Sequence, residues 1–225
     1  LCNLIMPIVL LGFYIFLSFV YVFPNVDGMC RLAFVSVGVS VWLLMAGLIS
    51  VPMNNREKSL KGLEGNRLSV LSHLFVGLAD LAFDTFLRVV FVILILTFFS
   101  PDVINFNPLA FVVLGLACLC CFGVGVLLGI LNLMLGDVSR MVMIFLQYGI
   151  FVSGVIFPVS RLGRAGEIMA VNPLHLIVDS IRSLVVLGDY QAQGGFIVQI
   201  VLGLVMLVWA CSTLFILKDE LRGRL

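Results

Sequence analysis

The sequence predicts an all-α integral membrane fold: six transmembrane helices with a re-entrant helical hairpin between the fifth and the sixth. Three observations predict it. Hydrophobic residues make up 62% of the chain and charged residues only 11%, too little charge to cover the surface of a soluble domain of this length. Apolar runs of about 18 residues or more recur, each long enough to cross a bilayer as a helix. One stretch, 153–182 (SGVIFPVSRLGRAGEIMAVNPLHLIVDSIR), fits neither a span nor a loop. It is too apolar to be a solvated loop, and Pro158, Pro173 and its glycines break it too often for a spanning helix. Irregular backbone at membrane depth is tolerated only where protein or a water-filled cavity satisfies it. The stretch is therefore expected to dip into the membrane and turn back.

The spans follow in order. The first, 4–23, carries Phe13, Tyr14, Phe16 and Phe19; Phe16, Phe19 and Phe23 share a helical face. Such a stripe either packs on lipid and neighbouring helices or lines a path for sugars, which stack on aromatic rings. The second, 32–51, is expected to stop at Pro52, where the polar loop MNNREKSLKGLEGNRL begins. The third run, 69–99, is longer than one crossing needs, so its first turns belong at the interface. Asp102, Asn105, Asn107 and Pro108 break the chain before the fourth span, 109–135, in which Gly125 and Gly129 form a small-xxx-small pattern for close helix packing. A short connection, 136–140, leads to the fifth span, 141–157. The sixth is 196–217, followed by a charged tail. The chain begins at Leu1 within an apolar run, without a basic lead-in or a small-residue cleavage site. It reads as lacking its natural N-terminus, with no cleavable signal peptide expected.

Net charge is +1, so no global field points to nucleic acid or to an acidic partner. Orientation follows from the basic residues. Arg56, Lys58, Lys61, Arg67, Arg140, Lys218, Arg222 and Arg224 fall on one side, and Arg31, Arg161, Arg164 and Arg182 on the other. The first side is expected to be cytoplasmic, with both ends of the chain on it.

The third span carries Asp80, Asp84 and Arg88 at i, i+4, i+8, hence on one face. An unpaired charge in hydrocarbon costs about 3 kcal/mol or more, so these groups must face protein or water. Asp84 is placed to neutralise Arg88. Either the pair fixes helix packing, or the face serves a proton relay or a substrate contact. Six cysteines, three of them crowded at Cys118, Cys120 and Cys121, read as small packing residues, since no polar ligand set converges on them. No metal site is expected. No GxxxxGK[ST], HExxH or GxSxG motif occurs. His73 and His175 are far apart; His175 reads as a satisfied interfacial histidine, the alternative being a catalytic one.

The last third of the chain carries a family pattern. The fifth span is entered through GDVSR and ends in SGVIFP. Asn172-Pro173-Leu174-His175 follows, then Asp179 and Arg182, a last span and a short basic tail. The sequence resembles the membrane subunit of type-2 ABC exporters, and within them the permeases that export polysaccharides such as O-antigen, capsule or teichoic acid. The matching residues are Ser153, Gly154, Phe157, Pro158, Asn172, Pro173, Leu174, Asp179 and Arg182. SLKGLEGNRL is similar to the family's coupling pattern through Ser59, Leu60, Asn66 and Leu68, although the Lys-x-x-Phe-Pro element that often follows is absent.

The resemblance implies a single permease domain over 1–225, with a preceding interfacial helix missing. It implies a homodimer in a bacterial inner membrane and a separate ATP-binding subunit that holds the ATP and magnesium, so this chain carries no cofactor and is not itself an enzyme. The implied substrate is a lipid-linked glycan. Phe157, Pro158, Asn172, Pro173, His175, Asp179 and Arg182 would form an outer gate hairpin. Arg56, Lys58, Ser59, Lys61, Asn66 and Arg67 would couple to the ATPase. Phe13, Tyr14, Phe16 and Phe19, with Phe145, Tyr148 and Phe151, would line the pore; packing at the dimer seam is the alternative for these rings. The same fold exporting a drug or another lipid, an integral-membrane transferase, and a proton-coupled transporter using the acids of span three are the competing readings.

Overall fold

The computed structural model describes residues 29–61, 68–99, 105–159, 163–170 and 172–189, with isolated positions before 18 and after 200. Within these the chain is all-helical. Helix α1 is Arg31–Lys61, α2 Leu68–Phe99, α3 Leu109–Leu135, α4 Val138–Val152, α5 Arg164–Ala170 and α6 Pro173–Val186. Three stretches are long and apolar enough to cross a membrane: Arg31–Asn54, Leu74–Phe99 and Leu109–Asn132. They fall in the expected second, third and fourth spans. The first and sixth spans lie almost wholly outside the described residues. Of the first-span aromatics, Phe13 and Phe16 are helical and exposed, while Tyr14 and Phe19 lie outside the description.

Helix α1 is the hub, packing on α2, α3, α4 and α6. From Arg31 to Asn54 it is apolar on every side, as a surrounded helix must be, and Ala33, Val35, Val39 and Met53 have no exposed surface. Its predicted end is corrected: the helix runs through Pro52 to Lys61. Proline removes one backbone donor and pushes its ring toward the preceding turn, but a neighbouring membrane helix can accommodate it. Gly125 of α3 does so here. A Cβ on Gly125 would lie 2.7 Å from the Pro52 ring and 2.5 Å from the Ile49 carbonyl oxygen. Gly125, the first residue of the small-residue pattern in α3, thus marks a close crossing with α1 at the level of the proline.

Helix α2 leans on α1 toward its C-terminal half. Along one stripe Asp80 is exposed, Asp84 half-buried, and Arg88, Val92 and Leu96 buried. The rest of α2 presents Phe75, Phe83, Phe86, Leu94 and Phe98 outward. In a bilayer that surface carries no hydrophobic penalty, since lipid chains are as apolar as the side chains.

The fifth expected span is also corrected. Helix α4 begins three residues earlier than expected and ends at Val152, five residues short of 157. Gly154 takes a left-handed backbone conformation, φ 64°, which ends an α-helix and suits glycine. At the other end, the buried Asn132 side chain accepts from the Ser139 N–H at 2.9 Å and so ties α3 to the first turn of α4. With 15 residues, α4 is a shorter apolar helix than the three of spanning length, so the chain beyond Val152 would have to complete any crossing.

Candidate functional site

The break between α4 and α6 is where the chemistry-bearing residues converge. Three features build it: a capped helix start, an open helix end, and a buried cation between them. Asn172 takes an extended backbone conformation and its side chain accepts from the Leu174 N–H at 3.0 Å, with Pro173 in the first helical turn. This is the arrangement that starts a helix where the sequence signals it. The same side chain donates from Nδ2 to Ser153 Oγ at 3.4 Å. One residue thus caps α6 and ties it to the end of α4.

His175, one turn further, lies 3.1 Å from the Ser153 carbonyl oxygen through Nδ1. A carbonyl only accepts, so the bond places a proton on Nδ1. Burial pushes the imidazole below its usual range, against the opposing pull of Asp179 and the Ser153 bond. The ring sits where a side chain on residue 154 would be: a Cβ there would be 2.6 Å from Nδ1. Gly154 is therefore required twice, by its backbone conformation and by the histidine.

Arg182, two turns beyond His175, is 1% exposed. Its Nη2 donates to the Val155 carbonyl oxygen at 3.0 Å. Its guanidinium carbon lies 3.5 Å from the centre of the Phe34 ring on α1, a cation–π contact. Nη1 is 3.6 Å from an Asp179 carboxylate oxygen, and that carboxylate is 47% exposed. Burial lowers the guanidinium to about 10, with Asp179 opposing the shift, so it remains a cation at neutral pH. Nε and Nη1 have no hydrogen-bond partner. Gly38 makes room: a Cβ there would collide with Nη2 and approach the Val155 oxygen to 3.1 Å. Two cationic or polar groups of α6 thus serve carbonyls just beyond the end of α4, where the helix dipole favours positive charge.

The other sequence-predicted residues are distributed as follows. Pro158 is buried and Phe157 half-buried beside the break. Arg88 donates through Nε to the main-chain oxygen of Asp84 at 3.2 Å and through Nη2 to Thr85 Oγ1 at 3.1 Å. The hydrogen bonds of Arg88 thus stay on its own helix, while the negative charge of Asp84 acts on the guanidinium as the spacing predicts. Phe145, Tyr148 and Phe151 lie on an outward face of α4 and are exposed. Arg56, Lys58, Ser59 and Lys61 continue α1 as helical backbone, their side chains outside the description, as are Asn66 and Arg67. Among the described residues no group of three or more His, Cys, Asp or Glu is placed to hold a metal.

Sequence reasoning missed Phe34, Gly38 and the Val155 carbonyl. A glycine within a valine-rich run was the only trace of the first two. It also treated Asn105 and Asn107 as mere breaks. They fasten the far end of α6: Asn107 N–H donates to Leu184 O at 3.0 Å, and Asn107 Nδ2 to Gly188 O at 2.9 Å.

The chain matches no protein-family model and no curated protein sequence.

Proposed function

We propose that this chain is the permease subunit of an ATP-driven exporter, carrying a lipid-linked cell-surface polysaccharide across a bacterial inner membrane. The observation that supports this reading best is the clamped break. The residues in which the sequence resembles type-2 exporter permeases are those that meet there: Ser153, Gly154, Asn172, Asp179 and Arg182. A helix that stops short, a reversed segment and a second helix started by Asn172-Pro173 is the form a gate hairpin takes. In this reading α4 and α6 are held by side-chain contacts to main-chain oxygens, contacts that can be exchanged without unfolding either helix.

The drive comes from the opposite end of the same hub. Helix α1 extends past its apolar stretch, which ends at Asn54, to Lys61. This rigid extension bears the basic residues expected to dock on a separate ATP-binding subunit. Movement there reaches the gate through α1, which holds Phe34 and Gly38 against Arg182. Two copies of the chain would face each other across the pore, with Phe145, Tyr148 and Phe151 on the facing surface. ATP and magnesium belong to the partner subunit, and both ends of this chain lie in the cytoplasm.

The test is reconstitution of the chain with its ATP-binding partner in vesicles, following accessibility of a lipid-linked glycan to an external glycosidase. Export that requires ATP and stops with Arg182→Ala supports the proposal. Movement driven by a pH gradient without the ATPase points to a proton-coupled transporter. Chemical turnover of the lipid substrate without ATPase points to a transferase. ATP-dependent movement of a simple lipid or drug, with the glycan left behind, points to the same fold with another cargo.

A further inference from the structure

Two adjoining voids lie where α1, α2, α3 and α6 meet, at the end of the bundle fastened by Asn105 and Asn107. The larger is a cleft of about 510 Å³. Its floor is buried: Val41 of α1, Val92 and Leu96 of α2, Ala110 of α3 and Ile181 of α6. Its rim, with Ile93 of α2 and Phe111 of α3, is exposed, so it opens sideways between these two helices. Only two lining side chains carry hydroxyls, and both are already bonded. Ser40 donates to Ser36 O at 2.8 Å. Thr85 donates to Leu81 O at 2.8 Å and accepts from Arg88. The cleft offers nothing to sugar or water, and an open apolar cleft in a bilayer is filled by hydrocarbon.

The second void is a polar shelf of about 410 Å³, formed by 105–108 and 187–189. Phe106 lines both voids and is the wall they share. Much of the shelf is internally committed. Asn107 uses both ends of its amide, on Gly188 O and the Leu109 N–H. The Ala110 and Phe111 N–H groups bond to Asn107 O and Pro108 O, so the start of α3 has no donor left for a phosphate. Among the described residues the exposed Asp189 carboxylate is the charged group on the shelf, and no basic side chain lines it.

We infer that cleft and shelf together form a seat for one bilayer lipid of the phosphatidylethanolamine class. One acyl chain fills the cleft, and the ammonium group meets Asp189 at the shelf. A headgroup without a cation would bring only negative charge to a carboxylate, and a quaternary choline has no N–H to donate to it, so an ethanolamine ammonium is favoured over both. The lipid wedges between α2 and α3, which touch each other little and are joined through α1. The inference requires a bilayer around the chain but does not rest on the export reading.

The test uses the full-length chain in phosphatidylcholine vesicles, doped with phosphatidylethanolamine or phosphatidylglycerol carrying the same chain-terminal diazirine. No ATP or transport enters the readout, so failure here leaves the export test unaffected. After illumination, adducts are mapped by peptide mass spectrometry. Adducts from the ethanolamine lipid are expected on peptides holding Val92 and Phe111, with weaker labelling by the glycerol lipid. Asp189→Asn is expected to lower the ethanolamine yield about threefold, the scale of an exposed ion pair. Leu114→Trp, which fills the cleft, should lower it about tenfold, provided the variant elutes as the parent does. Asp189 is on the surface, so its variant tests the seat even if the tryptophan does not fold. Equal labelling by both lipids, or indifference to Asp189→Asn, overturns the inference. Adducts confined to the outward face of α2 overturn it too, as does a cleft that a second copy has closed to both probes.

Discussion

Arg88 and Arg182 are both buried cations on apolar helices, and the chain accommodates them in opposite ways. Arg88 turns back on its own helix: its partners, Asp84 O and Thr85 Oγ1, are four and three residues away. Arg182 reaches out. Its partners are a carbonyl 27 residues earlier in the chain, a ring on α1 and a half-exposed carboxylate. Local bonding makes Arg88 tolerable without joining any two elements. Long-range bonding makes Arg182 a pin through three of them, with Nε and Nη1 left without a hydrogen bond. Arg182 is thus the side chain whose contacts are incomplete, and incomplete contacts at a junction are where rearrangement is cheapest.

The largest effect that would test this contrast is Arg182→Ala. It leaves the Val155 carbonyl without its donor and Asp179 without a counter-charge. A loss of about 3 kcal/mol is expected, the lower end for breaking a buried ion pair because Asp179 is half in solvent. Thermal unfolding in detergent measures it, and a shift no larger than that of a surface variant would mean that Arg182 pins nothing. Gly38→Ala comes next. Its methyl group overlaps the Arg182 guanidinium, and overpacking of this kind costs about 1–3 kcal/mol. Combining it with Arg182→Ala should give less than the sum of the two losses; strict additivity would show that the two sites are not in contact.

A smaller effect concerns pH. Folding holds His175 below its usual range by burial, so the unfolded chain binds this proton more readily than the native one. Stability therefore falls as pH drops through the unfolded value of about 6.5, and goes on falling until the folded value is passed. Unfolding curves at a series of pH values should show this slope in the parent and a weaker one in His175→Gln. The smallest effects belong to α2. Arg88→Met removes a buried charge whose bonds are local, and Thr85 keeps its bond to Leu81. A change within about 1 kcal/mol is expected, and replacing buried ions by apolar groups can even stabilise. Asp84→Asn should be smaller still, because Arg88 uses the main-chain oxygen. A large loss from Asp84→Asn would show that the carboxylate's charge, and not the backbone bond, is what makes Arg88 tolerable.

Much of this was open to sequence reasoning. Apolar runs located α1, α2 and α3 because a bilayer imposes length and hydropathy together. Pro173 reads from sequence as one of the breaks of 153–182, and the structure makes Asn172-Pro173 the cap and first turn of α6. Asp179 and Arg182, marked by the family pattern, form an i, i+3 pair at 3.6 Å. The same local logic failed where a neighbour intervened. Pro52 did not stop α1, because Gly125 on another helix left space for its ring. The Asp84–Arg88 spacing did bring the carboxylate's charge to bear on the cation, but the hydrogen bond went to the backbone oxygen.

What the sequence by itself determined is what short-range physics controls: helices of bilayer length, the cap at Asn172, the left-handed turn at a glycine. Only the tertiary structure decided which surfaces meet. It placed Phe34, Gly38 and the Val155 carbonyl around Arg182 and set His175 on Ser153. It also opened a cleft between α2 and α3. A carbonyl oxygen carries no residue identity, and a glycine chosen for the room it leaves resembles any other glycine. The partners of a buried cation are therefore written in the packing of helices far apart in the chain, and become legible only once those helices are assembled.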